Sequence, residues 1–218
     1  MARADRDDPS PEARAAYRAL RQRSGKLMQR SLQARVARAV ADPVGIRERL
    51  AQFWADHFTV LGRRLYRQPL ILDYHDYALR PQITGRFSTL LRAAMLHPAM
   101  LFYLDQASSF GPNSIGAKKI MRKKGEGAAG LNENLAREVM ELHTLGVGGA
   151  YTQADVRQLA ELFTGLTASN AGYRFDARMS EPGAEEVLGK SYGGARAAQA
   201  DVERVLDDLA RHPDTARH

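Results

Sequence analysis

Apolar residues recur at steps of three and four along most of this chain, and prolines and glycines cut the pattern into segments. Tyr17, Leu20, Leu27, Met28, Leu32, Val36 and Val40 carry it first, and such spacing lays an apolar stripe along a helix. Ser10-Pro11-Glu12 precedes them as an N-cap with proline in the first turn. Gly25 interrupts the run and is read as a candidate break between two helices. After Asp42-Pro43 the pattern resumes through Ile46, Leu50, Phe53, Trp54, Phe58 and Leu61. Further segments follow at 70–79, 83–95, 99–104, 132–143, 152–163 and 201–210. Strand signals are scarce, although Tyr173 and Phe175 alternate inside a glycine-rich stretch, 169–195, that has room for one short β-hairpin. The pattern predicts an all-α class: an irregular multi-helix bundle with long glycine-rich loops, the longest at 108–130.

A chain of 218 residues suits one domain with a substantial core. Residues 1–11 are polar, contain Pro9 and Pro11, and read as a disordered lead-in. Residues 12–218 read as a single helical domain, with basic helices over 12–67 and a motif-bearing body over 68–218. The absence of cysteine excludes disulfides, thiolate metal sites and cysteine nucleophiles together. No apolar run approaches the roughly 18–20 residues that a membrane span needs. No signal peptide is expected from the polar start, and the compartment stays open.

Charge is concentrated. From Arg14 to Arg67 thirteen Lys and Arg face three acidic residues, a local balance of +10 in a chain whose net charge is +7. Such a segment points either to a solvated helical face or to an anionic ligand. Nucleic acid is the weaker anionic candidate, because no nucleic-acid-binding motif accompanies the charge.

The densest polar cluster runs Asn132-Glu133-Asn134-Leu135-Ala136-Arg137-Glu138-Val139-Met140-Glu141-Leu142-His143. On a helix, Asn134, Glu138 and Glu141 share a face, and two carboxylates one turn apart suit acid–base work or a hard cation. Arg137 lies four residues from both Glu133 and Glu141, a spacing that equally makes ordinary helix ion pairs. His143 is two residues from Glu141 and matches no Glu-x-x-His metal spacing. His57, among Trp54 and Phe58, is either a packed core histidine or a ligand. Gly111 to Lys118 lacks the Gly-Lys-Ser/Thr order of a nucleotide loop, which leaves a lid or anion-contacting loop. No serine-hydrolase elbow or zinc-protease motif occurs.

These residues resemble a known family. Phe53-Trp54 with His57-Phe58, Arg80-Pro81, His97-Pro98-Ala99-Met100 with Tyr103-Leu104-Asp105, and Gly111-Pro112-Asn113-Ser114 all fit its pattern. So do the Asn132–Glu138 block, Glu141-Leu142-His143-Thr144-Leu145-Gly146 and Tyr151-Thr152-Gln153-Ala154-Asp155. The pattern is that of the bacterial family catalogued as domain of unknown function 1800, over roughly residues 46–218. Family members usually carry Trp where this chain has Leu166, and His where it has Ser180. They also continue past the final residue, so a fragment of a longer protein is expected. The resemblance implies no established reaction or cofactor. It implies a genomic neighbour resembling sulfatases or phosphatases, and it strengthens Asn134, Arg137, Glu138, Glu141 and His143 as catalytic candidates. His57, Asp105, Asn132, Glu133 and Asp155 are further motif residues. The reading divides between an enzyme using this polar helix and a non-catalytic binding or scaffold protein.

Overall fold

A computed structural model describes residues 10–42, 44–62, 68–169 and 172–218. Most of the expected lead-in and Arg63, Arg64 and Arg67 of the basic segment lie outside the described residues.

The first helix, α1 (Pro11–Ala41), runs 31 residues without a break at Gly25. Ser10 caps it by accepting from the Ala13 N–H at 3.2 Å, and its Ala-, Arg-, Leu- and Gln-rich body favours helix strongly enough to absorb one glycine. The packed face of α1 is polar. Ser24 meets Gln68 (3.2 Å), Ser31 meets Asp76 (3.3 Å), Arg35 meets His75 (2.6 Å) and Arg38 meets Asp76 (3.0 Å). The apolar stripe that marks this helix in the sequence faces outward instead. Gly45, in the left-handed region at φ 69°, turns the chain into α2 (Ile46–His57).

Next comes α3 (Gln68–Asp73), which continues directly into a π-helical turn over Tyr74–Leu79 and a 3-10 turn over Arg80–Gln82. The wide turn buries both Tyr74 and Leu79 and leaves Tyr77 outside. Tyr74 donates its hydroxyl to the Phe58 carbonyl at 3.0 Å, so its polar end is satisfied inside the core. The amphipathic α4 (Phe87–Met95) buries Leu90, Leu91, Ala94 and Met95. His97 then caps α5 (Pro98–Tyr103), its Nδ1 accepting from the Ala99 N–H at 3.1 Å.

The glycine-rich stretch 108–130 is less irregular than its composition suggests. It contains α6 (Ile115–Lys124), capped by Ser114. Its first half is pinned to the turn at 176–181: Gly111 N–H donates to the Met179 carbonyl and Gly116 N–H to that of Arg178. A Cβ on Gly111 would lie 2.4 Å from the Glu181 backbone nitrogen, so only glycine permits this approach. That half is therefore an anchored turn rather than a free lid.

After α7 (Asn134–Glu138) and a second π turn over Val139–His143, a Thr152–Asp155 capping box opens α8 (Gln153–Phe163). Two antiparallel hairpins follow, where the sequence predicts at most one. Strands β1 (Leu166–Ser169) and β2 (Gly172–Phe175) pair Leu166 with Phe175; β3 (Gly183–Val187) and β4 (Lys190–Gly194) pair Glu185 with Tyr192. The molecule is thus mostly helical with short hairpins, not purely α. Helix α9 (Gln199–Ala210) packs Val202, Val205, Leu206 and Leu209 inward and lies against α4.

Candidate functional site

The polar helix forms, but the π turn changes which residues share its faces. In a continuous α-helix Leu142 would join Leu135 and Val139 inside. The extra residue per turn instead exposes Leu142 and buries His143 and Thr144. Thr144 donates its hydroxyl to the Val139 carbonyl at 2.7 Å and Gly146 N–H reaches the Met140 carbonyl at 3.1 Å, satisfying carbonyls at the helix end.

Arg137 sits at the centre of a surface network. It pairs with Glu133 at 3.2 Å, Glu141 at 3.1 Å and Gln153 at 2.8 Å, and Gln153 also donates to Glu133 at 2.9 Å. Its guanidinium is committed to holding α7 against the start of α8. Asn134 is exposed, and its N–H donates to Asn132 Oδ1 at 2.8 Å. Asn132 in turn reaches back to Ser109 and the Leu104 carbonyl, as a brace of the fold. Glu138 is half-buried; burial, then the neighbouring Glu141 charge, push its carboxyl above the usual range.

His143 lies in an aromatic nest, its ring centroid 5.3 Å from His57 and 5.0 Å from Phe58. Burial first, then the His57 and His218 charges, push its pKa down to about 3. Its Nδ1 and the Nε2 of His57 are buried without a hydrogen-bond partner. Among the described residues no three His, Asp or Glu side chains converge as a metal site would require. Asp155 closes the α8 capping box and accepts the Leu188 N–H at 2.8 Å, tying the tip of the second hairpin to α8. Asp105 is exposed in a left-handed turn at φ 58°, on the edge of a separate cleft with Tyr103 and Ser108. The motif residues thus fall into three places: Asn132, Glu133, Arg137, Glu141 and Asp155 around α7 and the start of α8, His143 against His57, and Asp105 apart from both.

A different place gathers concavity, charge and perturbed titration. Helices α1 and α2 scarcely touch, and between them and the π turn at Tyr74–Leu79 opens a cleft of about 540 Å³. Leu32, Val36 and Ala39 form one wall, Ala51 and Ala55 the other, and Arg35, Glu48, Arg49, His75, Asp76 and Arg80 supply its polar groups. Its carboxylates are taken. Arg80 grips both oxygens of Glu48, and Asp76 accepts from Arg38 and Ser31. Its donors are not exhausted. Arg49 has no side-chain partner among the described residues. Arg35 can only donate, so His75 Nδ1 accepts and the ring proton sits on Nε2, which has no partner. Burial, then the Arg35 charge, hold His75 down to about 4, so the ring is neutral near pH 7. In sequence His75 is inconspicuous; only the excess of arginine over 14–67 points here.

Sequence reasoning also misses a carboxyl pair behind the second hairpin. Glu185 of β3 is buried. Burial and the charges of Glu161 and Glu181 push its pKa up to about 7. Glu181 meanwhile accepts from the Asn113 backbone at 2.8 Å. Ser180, at the position where family relatives usually carry histidine, is buried and donates to the Thr164 carbonyl at 3.0 Å.

Fold and site together define a mostly helical protein with two appended hairpins and a donor-rich cleft between its first two helices. The model of a protein family of unknown function, DUF1800, matches residues 1–218, the whole chain, and the protein belongs to that family. No curated protein and no solved structure matches it.

Proposed function

We propose that the protein is a binding module that takes an anionic ligand in the cleft between α1 and α2. One observation carries this reading: both carboxylates of the cleft are engaged, whereas Arg49, exposed on its wall, has no side-chain partner among the described residues. An anionic oxygen seated in the cleft would pair with the Arg49 guanidinium in a charge-assisted hydrogen bond. The +10 segment would draw such a ligand in from solution. An acidic surface on the sulfatase-like neighbour implied by the resemblance is one such ligand, which makes co-purification of the two proteins a natural companion test.

Polyglutamate is the direct probe. It is expected to bind at about 50 mM salt and to weaken steeply as salt rises, since counterion screening governs such contacts. Arg49→Glu is expected to weaken binding about tenfold or more, which corresponds to at least ~1.4 kcal/mol. Binding that ignores both salt and Arg49 would remove the cleft reading.

Glu138 favours a second reading, that of an enzyme with its acid–base group on the polar helix. A half-buried carboxyl whose pKa is raised by burial and by the neighbouring Glu141 charge suits proton transfer. Glu138→Gln would then lower turnover about 100-fold or more in an activity screen of the intact protein. Polyglutamate binding would stay as it was. Unchanged turnover takes Glu138 out of any acid–base role.

A further inference from the structure

An amphipathic helix normally buries its apolar face and shows its polar one. Helix α1 is not two-faced along its whole length, but its second half departs from this rule. Ser24, Ser31, Arg35 and Arg38 dock onto the body, while Leu32, Val36 and Val40 are 63%, 55% and 82% exposed. Across the cleft, α2 presents Ala51 and Ala55, side chains small enough for close helix approach. Two splayed helices, one with an apolar stripe and one with a small-residue face, form a trough in which a third helix completes the bundle.

Charge selects among occupants. Helix α1 carries exposed Arg18, Arg21, Arg23, Lys26 and Arg30 against Glu12, and α2 adds exposed Arg47, with Arg49 at the trough. A second copy of this chain would bring like charge against like charge, which is unfavourable. A bilayer needs its apolar anchors in one convex plane, whereas these walls face each other across a concave floor that contains Glu48 and Asp76. A helix with a leucine- and alanine-rich face flanked by glutamates satisfies both the apolar walls and the free arginine.

Resting on the cleft reading above, we propose that the occupant of the α1–α2 trough is an acidic amphipathic helix of a partner protein. Apolar burial along Leu32 and Val36 holds it, and Arg49 fixes its orientation through a carboxylate. This is helix-in-groove recognition.

A labelled peptide of about 18 residues, five helical turns, with a Leu/Ala face and Glu flanks tests it. Its Lys-flanked twin, a scrambled version and phosphatidylserine vesicles serve as comparisons. The acidic helix is expected to bind about tenfold or more tighter than either other peptide, gaining helical circular dichroism on binding. Val36→Asp and Arg49→Glu, both at exposed side chains, are each expected to weaken it about tenfold or more without altering the protein's own spectrum. Equal binding of the scrambled peptide, or indifference to Val36→Asp, overturns the proposal. Vesicle binding lost in Val36→Asp without peptide binding assigns the stripe to a membrane. Dimerisation lost in that variant assigns it to a second copy, and either result overturns the helical partner. If polyglutamate still binds through Arg49 in those cases, only the helical partner falls; if it does not, the cleft reading falls too.

Discussion

Arg49 and Arg137 are the same side chain in opposite settings. Arg137 is spent on Glu133, Glu141 and Gln153, whereas Arg49 has no side-chain partner among the described residues and lines the cleft. Spacing in the sequence cannot separate the two, because an i,i+4 pair of charges marks both active helices and ordinary ones. The titrating groups also divide. Glu185 has a folded pKa of about 7, above its ordinary 4.5. The stability it gains from holding its proton is complete below pH 4.5 and lost as pH rises through 7. Glu185→Gln keeps a neutral donor there, so its melting temperature is expected to exceed wild type above pH 7, with the difference shrinking toward pH 5. A constant difference across that range would contradict the buried-acid account. His75 runs the other way. Its folded pKa of about 4 lies below its ordinary 6.5. The folded state therefore loses stability as pH falls from 6.5 toward 4.

At the scale of elements, α1 is the informative case. Its existence and its cap are legible in Ser10-Pro11-Glu12 and in the three–four spacing of apolar residues. Its orientation is not, since periodicity reveals a stripe without saying what covers it. Gly25 reads as a break because glycine weakens helices, yet its neighbours outweigh that cost. An added Cβ meets nothing within 4 Å and φ is not positive. Gly25→Ala is therefore expected to stabilise α1 by about 0.5–1 kcal/mol, measurable as a raised melting temperature; destabilisation would mean that the helix is broken there after all. The two π turns account for the other departures. Each adds a residue to a turn, so Leu142 leaves the core and His143 enters it, a shift of phase that a 3.6-residue template cannot reveal. The hairpins escape for a different reason: β1 and β3 are only 4 and 5 residues long, too short for alternation to rise above their glycines.

For the whole molecule, several of the polar motif residues brace the fold, while the cleft proposed to take a ligand lies at the N-terminal helix pair. Asn132 ties two loops together, Asp155 ties the second hairpin to α8, and Gly111 seats the 109–117 turn against Glu181. On the proposed reading, binding happens at α1 and α2 and not along α7. Backbone hydrogen exchange of the intact protein, with and without polyglutamate at low salt, separates the two places directly. Slowed exchange confined to residues 31–41 and 46–57 is the predicted result; slowed exchange over 134–143, with the first two helices unchanged, would contradict it.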